Sequence, residues 1–140
     1  MKLFFRITFN IFLILTILIG CKTTEKIKET EPVAISNQGI AFCEKAQYDR
    51  SIDNFNKALD IKPRYAGAYN NRGVVYYKKG QYDKAISDFT KAIEINPRNA
   101  EAYYNRGSAY GIGKKQYDKA ISDFTKAIEI KPNDAAPYNA

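Results

Sequence analysis

Residues Gln81–Ile95 and Gln116–Ile130 spell the same word, QYDKAISDFTKAIEI, and no other feature constrains the fold as much. Each copy closes a longer repeat. AGAYNNRGVVYYKKGQYDKAISDFTKAIEINPRN runs from Ala66 to Asn99, and AEAYYNRGSAYGIGKKQYDKAISDFTKAIEIKPND follows from Ala100 to Asp134. A more diverged copy, QYDRSIDNFNKALDI, occupies Gln47–Ile61. The offsets between the Gln residues that open these blocks are 34 and 35. A period of this size implies an array of one supersecondary unit, in which no copy buries its apolar face without a neighbour.

Each unit reads as two helices. In Tyr82–Ile95 the apolar residues Tyr82, Ala85, Ile86, Phe89, Ala92 and Ile93 recur at spacings of three and four, one face of a 3.6-residue helix. Ala68–Tyr77 suits a preceding helix, with Gly80 closing it and Pro97 stopping the second. Small residues (Gly73, Gly107, Ala85, Ala92, Ala120, Ala127) mark close approach of backbones, and Tyr69, Tyr76 and Phe89 fill the space between.

These residues resemble the tetratricopeptide repeat, whose pattern is aromatic, Gly, aromatic, Ala, aromatic, Ala, Pro. The second unit carries it as Tyr69, Gly73, Tyr76, Ala85, Phe89, Ala92 and Pro97. The third has Tyr103, Gly107, Tyr110, Ala120, Phe124, Ala127 and Pro132. The first has Gly39, Phe42, Phe55, Ala58 and Pro63, with Ile35 for the first aromatic and Ser51 for the first Ala. The resemblance spans Pro32 to Asp134 and implies an all-α, right-handed superhelical solenoid of antiparallel helix pairs. The units are 32–65, 66–99 and 100–134, with 135–140 (AAPYNA) beginning a fourth, Tyr138 matching Tyr103.

Residues 1–20 are of another kind. Lys2 and Arg6 precede an apolar run ending in Leu18-Ile19-Gly20-Cys21, the layout of a secretory signal. The last four residues resemble the lipobox of bacterial lipoproteins, which implies cleavage after Gly20 and lipidation of Cys21. The alternative is an uncleaved membrane anchor, but Thr8 and Asn10 shorten the clean apolar stretch below the roughly 20 residues of a span. The expected location is therefore the bacterial cell envelope, with the chain held to a membrane by a lipid anchor. Residues 21–31, beginning at the lipidated Cys and continuing KTTEKIKETE, are polar and aperiodic. They read as a flexible tether or, alternatively, as an extra helical turn leading into the first unit.

Composition excludes much chemistry. The chain has no His and no Trp, so neither a Ser–His pair nor a Cys/His metal site can form, and no enzyme, metal or cofactor is expected. The net charge of +7 falls by two, to +5, without Lys2 and Arg6. That charge favours anionic headgroups, but the lysines are spread over every unit, so a solvated surface is expected and nucleic acid is not. Cys43 is the only thiol besides Cys21 and reads as an apolar filler. Gly111-Ile112-Gly113-Lys114 is no phosphate loop, because Ser108 and Lys115 occupy positions that would have to be Gly and Ser or Thr.

Three departures from the repeat carry specific expectations. Arg72 and Arg106 stand where the family usually has an inward-facing Leu. Asp88 and Asp123 lie at matching places on the partner helices, and in the first unit both members change, to Gln38 and Asn54. The joint change points to a polar contact between the two helices of each unit, charged in two and neutral in one, the competing reading being coincidence between exposed side chains. The third unit has one extra residue, GIGKKQ for YKKGQ, which should lengthen and loosen its connecting turn. The outward face of the last helix (Ile121, Phe124, Ile128) has only 135–140 to cover it here. Either the sequence is truncated or another copy or a partner covers that face, and self-association is the expectation.

The family resemblance places the binding groove on the first helix of each unit. The groove residues would be Ser36, Ile40 and Cys43, then Asn70, Val74, Tyr77 and Lys78, then Tyr104 and Ser108. Such a surface suits an extended peptide or a partner helix, with aromatics as anchors; the competing reading is that Tyr77 and Tyr104 only shield the core. One family subtype clamps a C-terminal carboxylate with Lys and Arg. Here those positions hold Ser36, Ile40, Glu101 and Asn105, with only Asn71 retained, which argues against that ligand. The expectation is a membrane-anchored interaction scaffold, in the setting of envelope assembly or secretion. The alternative is a substrate receptor recruiting a neighbouring envelope enzyme or transporter.

Overall fold

The computed structural model describes residues 30–132, so the leader, Cys21, most of the tether and the stub at 135–140 lie outside the described residues. Helix α1 covers residues 30–44, so the last tether residues, Thr30 and Glu31, are already helical. It is followed by α2 (Tyr48–Ile61), α3 (Ala66–Lys78), α4 (Tyr82–Ile95), α5 (Ala100–Ser108) and α6 (Tyr117–Ile130). Between α5 and α6 the helix continues as a single π-helical turn, Ala109–Gly113. The described residues are all-helical, without strands, and the helices form the pairs α1/α2, α3/α4 and α5/α6 of a solenoid.

Each pair is locked where a glycine of the first helix meets a phenylalanine of the second. A Cβ on Gly73 would stand 2.7 Å from Cε1 of Phe89, and one on Gly107 would stand 2.9 Å from Cε1 of Phe124. Only a residue without a side chain lets the ring lie against the backbone. Phe55 and Phe89 are fully buried. Phe55 packs with Leu59, Ala68 and Val75, so the core of the first pair continues into α3. Phe89 packs with Ala85 and with Ala109 of the next unit.

The hairpin turns are closed identically. Gln47, Gln81 and Gln116 each donate a backbone N–H to the carbonyl of an aromatic in the last turn of the preceding helical segment, Phe42, Tyr76 or Tyr110, at 2.8–2.9 Å. The residue just before each Gln takes a positive φ, namely Ala46 (56°), Gly80 (72°) and Lys115 (54°). The third unit holds its extra residue between the same two hydrogen-bonding partners. The residue was expected to lengthen the turn, but it is absorbed into the helix as the π-helical turn, and neither Gly111 nor Gly113 supplies the left-handed residue. Gly113 serves instead as a contact, since a Cβ there would meet the ring of Tyr82 at 2.3 Å.

The expected Arg–Asp contacts are present in both charged units. Arg72 donates Nε and Nη2 to Asp88 Oδ2 and Oδ1, each at 2.7 Å, and Arg106 meets Asp123 in the same fork at 2.8 Å. The third donor reaches back one unit, from Arg72 Nη1 to Asn56 Oδ1 at 2.6 Å and from Arg106 Nη1 to Thr90 Oγ1 at 3.1 Å. Each arginine thus pins three helices. The hydrogen bond to its aspartate holds each guanidinium above its ordinary pKa, against the opposing effect of burial. In the first unit no such contact replaces the pair. Asn54 donates its amide to the Arg50 carbonyl at 2.8 Å, within its own helix, and Gln38 is exposed. Ser51 fills the place of the family Ala by donating its buried hydroxyl to the Gly39 carbonyl at 2.7 Å.

Candidate functional site

The first helices of successive units stand side by side, and a polar link joins two of them. Asn70 on α3 donates Nδ2 to Glu101 Oε1 at 2.9 Å and accepts from Asn105 Nδ2 at 3.1 Å, both on α5. Asn70 is only 3% exposed. Its amide is therefore spent inside the wall and is not offered to a ligand. Ser36 on α1, 1% exposed, is likewise buried and is no groove contact. Of these two positions, Asn70 is turned toward the neighbouring first helix by its hydrogen bonds to Glu101 and Asn105.

The remaining groove candidates reach solvent to different degrees. Ile40, Lys78 and Tyr104 are exposed, while Cys43, Val74, Tyr77 and Ser108 are half-buried. Tyr77 and Val74 pack against the Ala85–Phe89–Ala109 core, and Tyr77 meets Tyr82 edge-on at 5.4 Å. Tyr104 tilts against Phe124 at 5.3 Å yet keeps 47% of its surface open. Both rings thus shield the core and also present a face. Ser108 donates its hydroxyl to the Tyr104 carbonyl at 3.0 Å, and Cys43 packs on the first core, as a filler would.

Two contributors escape a reading of the sequence. Glu101 and Asn105 form the inter-unit link, although the unit spacing places Tyr104, not Asn105, opposite Asn70. Ile112, in the π-helical turn at the end of the third unit's first helix, is 71% exposed. A shallow depression of about 410 Å³ lies at the hairpin ends, lined by Gly80, Tyr82, Asp83, Gly113 and Lys114, and contains none of the groove candidates. Among the described residues no group of three His, Cys, Asp or Glu is placed to hold a metal ion. No helix there is long and apolar enough to cross a membrane.

The geometry agrees with comparison to known proteins. Models described as tetratricopeptide repeat match residues 66–99 and 100–134, and a TPR repeat model matches 39–80. No curated protein matches the chain. Among solved structures, the first TPR of Spaghetti (RPAP3) bound to HSP90 peptide SRMEEVD is 25% identical, with a TM-score of 0.70, covering 73% of this chain and 80% of that one. The Arabidopsis OM64 TPR domain is also 25% identical, with a TM-score of 0.71 and coverage of 75% and 86%. MamA is 34% identical, with a TM-score of 0.69, covering 75% of this chain but only 61% of that one. The chain belongs to the tetratricopeptide-repeat family, and its stacked helix pairs form a protein–protein interaction scaffold.

Proposed function

We propose that the wall formed by α1, α3 and α5 holds an extended peptide or a helix of a protein partner, and that lipidated Cys21 tethers this scaffold to a membrane of the bacterial envelope. The observation that carries the first half is that Ile40, Val74, Tyr77, Lys78 and Tyr104 keep part of their surface open on first helices that otherwise pack into the core. Aromatics fixed by neighbouring rings lose little entropy on binding, which makes them efficient anchors. Ile112 adds an exposed apolar group at the end of the third unit's first helix.

The wall selects against one class of peptide. The RPAP3 repeats are bound to SRMEEVD, an acidic segment. Here Glu101 turns a carboxylate toward the same wall, Asn105 is engaged by Asn70, and Ser36 is buried. An acidic chain terminus would meet repulsion at Glu101 and find no cation at these positions, so the partner segment is neutral or basic there. The tether half rests on the Leu18–Cys21 pattern alone.

Two experiments test the proposal. The double variant Tyr77→Ala/Tyr104→Ala should lose capture of the partner from solubilised envelopes while keeping its helical circular dichroism; undiminished capture would remove the wall from the account. The mass of the mature amino terminus should show cleavage before Cys21 and an added diacylglycerol, and an intact Met1 would refute the anchor.

A further inference from the structure

Tyr82–Ile95 and Tyr117–Ile130 share one sequence but not one environment. On α4 the residues Tyr82, Ile86 and Ile93 are half-buried beneath α5, while their counterparts on α6 are open, Tyr117 at 62%, Ile121 at 63% and Ile128 at 51% exposure. The opposite end of the array shows the converse. Ala68 and Val75 on α3, Ala102 on α5 and Ala109 at the start of the π-helical turn are completely buried. The corresponding residues of α1, Ala34 and Ala41, are exposed. One end therefore shows the large apolar residues of a unit interface, and the other shows the small ones that receive them.

The charges match in the same register. At each internal interface a lysine near the end of a first helix pairs with an aspartate in the first turn of the preceding second helix. Lys79 pairs with Asp49, and Lys114 pairs with Asp83 at 2.8 Å. Continuing the period outward, the next lysine is Lys45 on one end and the next aspartate is Asp118 on the other, and both are exposed. From this complementarity we infer that a second copy of the chain docks head to tail, its α1 covering α6, with Lys45 of one copy against Asp118 of the other. The interface repeats the two already inside the molecule, with Ala34 and Ala41 seated on Ile121 and Ile128. Because such a contact joins different surfaces, it propagates and does not close as a two-fold dimer. The inference is independent of the peptide-binding wall, which the docking leaves free.

The test uses the full chain in detergent, followed by sedimentation over a concentration series. The wild-type mass should rise with concentration. Ile121→Glu, blocking one end, should weaken association at least about tenfold, since burial of one large apolar side chain is worth more than that factor. Ala41→Glu/Lys45→Glu, blocking the other, should weaken it by setting carboxylates against Ile128 and Asp118. Circular dichroism should stay unchanged because the altered residues are on the surface. Mixing the two blocked variants should give a one-to-one dimer and nothing larger. The charge exchange Lys45→Glu/Asp118→Lys within one chain should restore association that Lys45→Glu alone weakens. A wild-type chain monomeric at every concentration overturns the inference, as does association sensitive to Ile121→Glu but not to Ala41→Glu/Lys45→Glu, which would mean α6 against α6. A monomeric chain that associates only after removal of 135–140 also overturns it, since its own terminus would then be the cover.

Discussion

Replacing Asp88 by alanine leaves Arg72 with two unsatisfied donors in a side chain only 18% exposed. Replacing Arg72 by leucine leaves the Asp88 carboxylate, 9% exposed, without its bidentate partner and removes the Asn56 contact as well. Breaking one side of a buried pair typically costs 3–5 kcal/mol, and the partial exposure of the guanidinium puts each single variant near the lower end, at about 3 kcal/mol. The double variant Arg72→Leu/Asp88→Ala leaves no orphaned charge and puts an apolar side chain among Tyr69 and Tyr76, whose rings the guanidinium now faces at 5.4 and 6.0 Å. It should cost no more than either single change, a coupling of about 3 kcal/mol where independent sites would add within about 0.5. Urea denaturation of the four proteins measures this directly. Arg106 and Asp123 provide the replicate, with the same geometry and the same exposures. If the double variant costs the sum of the singles, the pins are surface pairs and the reasoning fails.

Other outcomes follow from the same packing. Gly73→Ala should destabilise by about 1–3 kcal/mol because the new methyl collides with the Phe89 ring, and Phe89→Leu should recover part of that loss. Ala46→Gly and Lys115→Gly should each stabilise by about 1 kcal/mol, read as a rise in Tm, since both residues adopt the left-handed conformation that costs about 1–2 kcal/mol without glycine. Phe89→Ala should cost about 3–5 kcal/mol. Phe124→Ala, the same change within the same fifteen letters, should cost measurably less because Phe124 is only half-buried.

The repeat made the helix pairs, their order and the Gly–Phe contacts legible, since each depends on residues at fixed offsets within one unit. Arg72–Asp88 was legible for the same reason, through its recurrence as Arg106–Asp123. What escaped was contact between units. Asn70 with Glu101 and Asn105 bridges two first helices at an offset that the period does not repeat, because Tyr104 stands where the next Asn would be. The family position places Ser36 in the groove, but its side chain is buried. The extra residue of the third unit read as a loop because glycines flank it. The hydrogen bond from Gln116 to Tyr110 instead fixes both ends of that segment and forces the surplus into the helix.

The most direct test of the partner-binding wall is site-specific photocrosslinking in living cells, with a crosslinking residue at Tyr77 or Tyr104 on the wall, or at Lys57 or Lys91 on the second helices. The account predicts a shared protein adduct from Tyr77 and Tyr104 and none from Lys57 and Lys91. Adducts from the second helices alone would contradict it.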